Sequence, residues 1–333
     1  MQHSMQQVSI ALAQANFKVG DIDGNLELIA SAIAEAKEQN SAANALDDKP
    51  LMVVFSELAL IGYPPEDLLL RPSLQHRIEA ALQQVSKLSA DVAIVVGYPW
   101  SEGGQLFNMA GVWHNGEQIA KYAKRCLPNY QVFDEQRYFT AGAESCVFDW
   151  QGHKIGLTVC EDIWHEHPVA ETKAAGAELL ININASPFHA GKLQQRHELL
   201  SNHAKRHQLP IVYVNQIGGQ DELVFDGASF VVDCSGDVVA SAPEHESALM
   251  LVDFDEKLNV MDSQKALAKS ELASIYDTLV LGVRDYIEKN RFKGIVLGLS
   301  GGIDSALTLA IAVDAIGKDR VEAVMMPFKY TSS

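Results

Sequence analysis

Cysteine is scarce in this chain of 333 residues, and basic residues are few compared with acidic ones. The four cysteines form no C-x-x-C pair, which argues against both a zinc site and a disulfide framework. The chain has 26 Lys and Arg residues against 43 Asp and Glu residues, so its net charge is −17. Because such a surface repels a phosphate backbone, we expect no nucleic-acid partner.

Long apolar runs are also missing. No stretch approaches the ~18 consecutive apolar residues of a membrane helix, and no Lys or Arg precedes Lys18 as in a secretory leader. We therefore expect a cytoplasmic protein with reduced thiols and no membrane partner. Hydrophobic residues make up 47% of the chain, enough for a sizeable core, and its length suggests about two domains.

From Val8 to about Asp255, apolar runs alternate with segments of helical period, which predicts an α/β domain. One helix is expected around Leu26, Ile29 and Ile33, and a second over 193–207. The pattern favours a layered sandwich covered by helices. The predicted strands are 8–15, 52–57, 92–99, 107–114, 154–160, 178–184, 210–216 and 228–233.

A polar run follows the strand-rich region and marks the expected domain boundary. We predict a first domain over 1–255, a linker over 256–270 and a second domain over 271–333. The second begins with a helix and continues with a strand at 294–300, a helix to Ile316 and a strand at 322–327, which is one βαβ unit. Because a parallel sheet needs several strands with both faces covered, we expect this domain to be incomplete.

Three reactive residue types stand at the predicted ends of strands or close to them. Cys160 ends the run GLTVC, Glu57 ends MVVFSE, and Lys124 precedes Leu127-Pro128. A thiolate that attacks a carbonyl, a carboxylate that moves the proton and an ammonium that holds the oxyanion can together hydrolyse an amide. The alternatives are a buried structural cysteine, a helix-start carboxylate and a solvated lysine.

Four segments, FSELALIGYPPEDLL, KRCLPNYQVFDEQRYF, VCEDIW and NASPFHAGK, resemble in this order the signature blocks of the nitrilase (carbon–nitrogen hydrolase) superfamily. The likeness is greatest to the glutaminase domain of glutamine-dependent NAD synthetases. The resemblance implies a four-layer α-β-β-α sandwich. It also implies that Glu57 is the general base, Lys124 the transition-state stabiliser and Cys160 the nucleophile, with Glu135 positioning the site.

The same resemblance points to Tyr130, Ser186 and Lys192 as glutamine-binding residues. Lys192 stands where some relatives carry an arginine, so a point charge would replace a bidentate fork at the substrate carboxylate. Phe133 either lines this pocket or is an ordinary core aromatic.

The segment GLSGGIDSA follows a predicted strand and opens a helix, so its backbone N–H groups favour an anion. A glycine turn without chemistry is the alternative. SGGIDS resembles the pyrophosphate loop of the ATP pyrophosphatase family, which implies ATP binding and a Mg²⁺ ligand at Asp304. The implied ATP-binding residues are Gly298, Leu299, Ser300, Gly301, Gly302, Ile303, Asp304 and Ser305. The tail 325–333 resembles the block that follows in NAD synthetases.

Together the two resemblances imply that glutamine hydrolysis supplies ammonia for the ATP-dependent amidation of deamido-NAD, giving NAD, AMP and pyrophosphate. They imply no tightly bound organic cofactor, and a homo-oligomer formed through the glutaminase domain. For this chain we expect only the glutaminase half to be intact. The alternatives are a free-standing amidase of the nitrilase family acting on another small amide, and a nucleotide-sensing or scaffold protein with a vestigial thiol site.

Some residues are assigned no chemistry. His165, His167, His203 and His207 are interpreted as solvated histidines, because neither an H-E-x-x-H pattern nor a third ligand at a familiar spacing accompanies them. The segment 218–227 is predicted to be a loop before a strand. Buried structural roles are expected for three cysteines: Cys126, Cys146 and Cys234.

Overall fold

The computed structural model describes residues 5–43, 49–262 and 264–326. Its helices are α1 (Ile22–Ala43), α2 (Leu74–Leu88), α3 (Glu166–Ala174), α4 (Lys192–His207), α5 (Glu271–Lys289) and α6 (Ile303–Ile316). Its strands are β1 (Val8–Gln14), β2 (Leu51–Val54), β3 (Ala93–Glu102), β4 (Gln105–His114), β5 (Glu117–Ala123), β6 (Cys146–Trp150), β7 (His153–Val159), β8 (Leu179–Asn184), β9 (Ile211–Asn215), β10 (Ile217–Gln220), β11 (Leu223–Asp226), β12 (Phe230–Val232), β13 (Val238–Ser241), β14 (Ala248–Phe254), β15 (Ile295–Gly298) and β16 (Val321–Val324). Within these ranges, no helix is long and apolar enough to cross a membrane.

Two six-stranded mixed sheets form the main body, and neither closes into a barrel. The first has the order β14-β1-β2-β3-β4-β5 and the second β13-β12-β9-β8-β7-β6. Three neighbouring strands are parallel in each sheet, β1 to β3 and β7 to β9, and the other pairings are antiparallel. Read from β14 and from β6, the two sheets therefore repeat the same series of pairings.

Alternating side chains of each strand enter different layers of the core. In β1, Ile10 and Leu12 pack between the two sheets, whereas Ala11 faces the layer that contains α1 and α2. In β8, Ile181 points to the inter-sheet core and Leu180 to the layer with α3 and α4. Burial on both faces explains why apolar residues predominate in these strands. The result is the predicted four-layer α-β-β-α arrangement.

The boundaries differ from the predictions in two informative places. β2 ends at Val54, so Glu57 lies in the turn that follows and not on the strand itself. The segment predicted as a loop over 218–227 is instead mostly a hairpin, because β10 and β11 pair antiparallel from Ile217 to Asp226. Each of these strands has only four residues, and β10 contains two glycines. The apolar alternation is therefore too short to predict a hairpin from the sequence.

The segment between β14 and α5 follows the surface of the second sheet. Ser241 of the edge strand β13 donates its N–H to Gln264 at 2.8 Å and accepts from the Ala266 N–H at 3.0 Å. Beyond it, β15 and β16 pair parallel on either side of α6 in sequence, forming the predicted βαβ unit. These two strands are only partly covered. Residues 327–333 of the predicted tail block lie outside the described residues.

Candidate active site

Cys160 begins a short 3-10 turn, Cys160–Trp164, directly after β7. Its φ is 44°, in the left-handed region, and its side chain is buried at 6% relative exposure. A non-glycine residue in that region costs roughly 1–2 kcal/mol, so the surroundings must hold it there. The backbone is still extended at Val159, and the change at Cys160 turns the chain away from the strand and leaves the thiol at the end of the sheet.

Asp162 supplies much of that hold, although the sequence interpretation gave it no role. Its Oδ2 accepts from the Val159 N–H at 3.0 Å and the Tyr122 hydroxyl at 2.8 Å. Its Oδ1 accepts from the N–H groups of Arg125 and Cys126 at 3.1 and 2.8 Å. No pattern in the sequence pointed to it, because the several donors that a buried carboxylate requires come together only when the chain folds.

Glu57 is completely buried and has a donor on each side of its carboxylate. Its Oε1 accepts from the Lys124 ammonium and from the Asn108 amide, both at 2.7 Å. Its Oε2 accepts from the Ala185 N–H, which follows β8, at 3.0 Å. Glu57 follows β2 and Ala185 follows β8, which hold equivalent positions in the two sheets. The hydrogen bond between them therefore joins the two sheets at this carboxylate.

Lys124 follows β5 and places a buried ammonium between two carboxylates. Its Nζ donates to Glu57 at 2.7 Å and to Glu135 Oε1 at 2.8 Å, and the Tyr63 hydroxyl donates to that same Glu135 oxygen at 2.9 Å. Burial alone would lower the pKa of Lys124, but the carboxylates of Glu135 and Glu57 outweigh it and hold the pKa well above its ordinary value. The lysine is therefore a cation in the resting site.

The remaining charges of the cluster balance that one cation. Burial raises the pKa of the Cys160 thiol, Glu57 raises it further, and Lys124 only partly offsets them. Burial also raises the pKa of Glu135, against the opposing charge of Lys124. With one ammonium available in a low-dielectric site, the stable arrangement pairs it with the Glu57 carboxylate and leaves the thiol protonated.

A cavity of about 420 Å³ opens onto Cys160 and contains the three predicted glutamine-binding residues. Tyr130 is half exposed and donates its hydroxyl to Glu161 at 2.9 Å. The Lys192 ammonium lies 3.6 Å from the centre of the Trp164 ring, a cation–π contact. The cavity is lined by Tyr130, Gln131, Val132, Phe133, Cys160, Glu161, Trp164, Ser186, Pro187, Phe188, His189, Lys192, Gln195, Glu222 and Leu223.

A buried ion pair beneath this cavity fixes the loop that carries Ser186. Arg196 of α4 is fully buried and donates to both carboxylate oxygens of Asp226, at 2.9 and 2.8 Å. Its other terminal nitrogen donates to the Ser186 carbonyl, the Ser186 hydroxyl and the Pro187 carbonyl. The sequence interpretation missed Arg196, because a guanidinium in a polar helix resembles a solvated charge until its helix is placed.

Phe133 lines the cavity and also makes an edge contact with Tyr130, with ring centres 5.5 Å apart. Four of the residues that were assigned no chemistry need correction. His203 is not solvated but buried, with its Nε2 2.9 Å from the Ile163 carbonyl. Cys126, Cys146 and Cys234 are half-buried and not fully buried.

The SGGIDS segment forms a separate and far more open turn after β15. Gly301 has φ 82°, and the Ser305 hydroxyl donates to the Gly302 carbonyl at 2.9 Å. Asp304 lies exposed in the first turn of α6, where backbone N–H groups lack intrahelical acceptors. Most of residues 298–305 are exposed, and none lines the thiol cavity.

The family comparisons agree with both parts of this geometry. The carbon-nitrogen hydrolase family matches residues 9–260. The chain belongs to this family. The NAD synthase family matches residues 275–333, and the expected α/β fold of the nitrilase type, followed by the beginning of an NAD synthase domain, is confirmed.

Among curated proteins, the glutamine-dependent NAD(+) synthetase of Acinetobacter baylyi is 44% identical over 330 residues, covering 98% of this chain and 59% of that protein. The chain thus spans about three fifths of that relative's length. The solved structure of the glutamine-dependent NAD+ synthetase from Acinetobacter baumannii, in complex with ADP, has a TM-score of 0.92 at 44% identity and covers 98% of this chain and 61% of that one.

A mutant amidase from Nesterenkonia sp. AN1, with an acetamide moiety added covalently at its active-site cysteine, has a TM-score of 0.67 at 26% identity. The match covers 76% of this chain and 92% of that one.

Proposed function

We propose that the Cys160 site hydrolyses glutamine and that the chain supplies the glutaminase part of a glutamine-dependent NAD synthetase. The observation that carries this proposal is the buried ammonium of Lys124 held between two carboxylates beside a strand-end thiol. The close likeness to the synthetases named above supports glutamine as the amide and a cytoplasmic enzyme, where its free thiols stay reduced.

In the proposed reaction the Cys160 sulfur attacks the glutamine carboxamide carbon while Glu57 takes the thiol proton. The Lys124 ammonium stabilises the negative charge that develops on the carbonyl oxygen. Glu57 then returns the proton to the departing nitrogen, which leaves as ammonia, and a glutamyl thioester remains. Water activated by Glu57 attacks the thioester, releases glutamate and restores the thiol.

The charges around the cavity favour a free amino acid over a simple amide. Lys192 can attract the α-carboxylate, and Glu161 and Glu222 line the same cavity and can attract the α-ammonium. Tyr130 and Ser186 add hydroxyl groups at its wall. We propose that these residues set the preference for glutamine.

For the second part we propose that residues 298–305 bind the phosphates of ATP through the backbone of the glycine turn. One exposed carboxylate, Asp304, fits the usual way in which Mg²⁺ is held, by one or two carboxylates together with phosphate oxygens. The ion would neutralise phosphate charge. The second substrate would be deamido-NAD, whose activated carboxylate accepts the ammonia.

We further propose that 1–255 and 271–333 act as two domains joined by 256–270, and that the native enzyme is a homo-oligomer assembled through the first. The described βαβ unit has two strands with exposed apolar side chains, including Val296 and Val324. Because a two-stranded parallel sheet is too small to be stable alone, we expect NAD synthesis to need strands beyond this unit.

The test is to incubate the 333-residue chain with glutamine, ATP, Mg²⁺ and deamido-NAD and to measure glutamate and NAD separately. Glutamate release that Cys160→Ala abolishes would support the first part. Sustained NAD formation would contradict the expectation that synthesis needs further strands.

The second candidate is an amidase for another small amide, and the similarity to the Nesterenkonia amidase favours it. A panel of glutamine, asparagine, propionamide and acrylamide separates the two candidates. A higher kcat/KM for an uncharged amide than for glutamine would favour the amidase.

A further inference from the structure

Three potential metal ligands meet on the outer helical layer of the second sheet. Glu166 begins α3, and His203 and His207 lie one turn apart on α4. One ligand atom from each lies within 4.8 Å of the other two. The sequence offered only the histidine pair, because Glu166 belongs to a different helix, and the third ligand becomes visible when α3 packs against α4.

The orientation of His203 leaves a ring nitrogen available. Its Nε2 lies 2.9 Å from the Ile163 carbonyl, and since a carbonyl oxygen can only accept, Nε2 carries the proton. The Nδ1 atom then has a free lone pair and faces Glu166 Oε2 at 3.7 Å. Metal-binding histidines are commonly fixed in this way, with the second nitrogen donating to a backbone carbonyl.

The two carboxylate oxygens of Glu166 contact different neighbours. Its Oε2 accepts from Arg206 at 2.7 Å, which holds the carboxylate in place. Its Oε1 lies 3.0 Å from His207 Nε2. Since His207 is only half-buried, its side chain can rotate slightly and break the contact with Glu166. His207 Nε2 and Glu166 Oε1 can then both face one ion.

We propose that Glu166, His203 and His207 form a binding site for a divalent first-row transition ion such as Zn²⁺, with water completing the coordination. Two imidazoles and one carboxylate are a ligand set that suits zinc. The positive charge of Arg206 limits the affinity. A bound ion would join α3 to α4 behind Ile163, which belongs to the turn that begins at Cys160.

The test is a titration of the metal-free 333-residue chain with Zn²⁺ against a chromophoric chelator, and with Co²⁺ to read the ligands from its absorption spectrum. The variants are His207→Gln and Glu166→Gln. The matched control is His76→Gln, an exposed histidine on α2 far from the cluster in sequence. Circular dichroism establishes that each variant is folded.

We expect the parent chain to bind one equivalent of metal more tightly than any further equivalents. The affinity for this first ion should fall at least tenfold in both site variants and should be unchanged in the control. The ion should also raise the melting temperature of the parent but not of His207→Gln. Equal affinity in the parent and His207→Gln would overturn the site. A cobalt–thiolate band would also overturn it, because it would place one of the four free cysteines among the ligands. So would a parent chain that binds no equivalent tightly.

Discussion

Two turns in this protein each follow the carboxyl end of a strand with a parallel neighbour, and they have opposite surroundings. The turn at Cys160 follows β7, the turn at Gly301 follows β15, and each contains a residue with left-handed φ. Around Cys160 the charged groups of Glu57 and Lys124 are buried and paired within the protein. The residues around Gly301 are mostly exposed.

The difference follows from the chemistry proposed for each turn. Covalent attack on an amide needs charges that are fixed before the substrate arrives and shielded from water. Binding of a polyphosphate needs N–H groups that are still free when the ligand arrives. Burial is therefore expected to make the first turn sensitive to single substitutions and exposure to make the second tolerant.

The largest expected effect is the loss of catalysis in Cys160→Ala. Removal of the nucleophile should reduce glutamine hydrolysis by at least about a thousandfold, because the other groups cannot form the thioester. A steady-state glutamate assay measures it. Cys234→Ala, which removes a half-buried thiol elsewhere, is the control, and an equal loss in the control would contradict the role of Cys160.

Lys124→Met should produce the largest loss of stability. It leaves Glu57 and Glu135 buried without a counter-ion, and breaking a buried pair costs about 3–5 kcal/mol. Urea unfolding gives the free energy of unfolding. Lys37→Met removes the surface pair with Asp91 and should cost no more than about 1 kcal/mol. Similar losses in the two variants would remove the contrast between buried and exposed charges.

Asp162→Asn tests the hold on the first turn. Its amide would point a donor at either the Val159 N–H or the backbone N–H of Arg125 and Cys126, leaving buried groups unsatisfied at a cost of about 1–3 kcal/mol. Urea unfolding and the KM for glutamine measure the result. Unchanged stability would mean that the left-handed Cys160 does not depend on this carboxylate.

Glu135→Gln should change the pH dependence of stability. Burial raises the pKa of Glu135 above its ordinary 4.5. The stability that its protonated form contributes is therefore complete below pH 4.5 and is lost as the pH rises through the raised pKa. Relative to the parent, the glutamine variant should gain roughly 1.4 kcal/mol for each unit of the shift. Urea unfolding from pH 5 to pH 8 tests this, and parallel pH curves would refute it.

Asp304→Asn is expected to have the smallest effect on folding, and it is the counterpart of Asp162→Asn in the second turn. The side chain is exposed, so the free energy of unfolding should change by less than about 0.5 kcal/mol. Chemical denaturation of the two variants side by side makes the comparison direct. A loss as large as that of Asp162→Asn would show that the second turn is as constrained as the first.

The sequence predicted the layered fold well because apolar residues predominate in β1 and β8, which are buried on both faces, a pattern that leaves few other structures. It also predicted which side chains to examine, and the structure brings Glu57, Lys124 and Glu135 into direct contact. Their chemical roles remain predictions.

The residues that support the charged cluster could not be predicted from the sequence, for a physical reason. Arg196 and Asp162 have meaning only through partners distant in sequence, such as Asp226 and Tyr122. The hairpin at 217–226 was missed because its stability comes from packing as much as from its own sequence. α5 rests on it, with Asp285 accepting from the Gly219 N–H at 2.7 Å.

The repeated pairing series of the two sheets gives the protein two equivalent strand ends, that of β1 and that of β7. Only one of them carries a thiol. Two residues beyond the other, Asn16 donates its amide to Asp285 of α5 at 2.7 Å, so that strand end anchors α5. The two copies of the pairing series thus differ: one strand end carries the buried thiol, and the other attaches a helix.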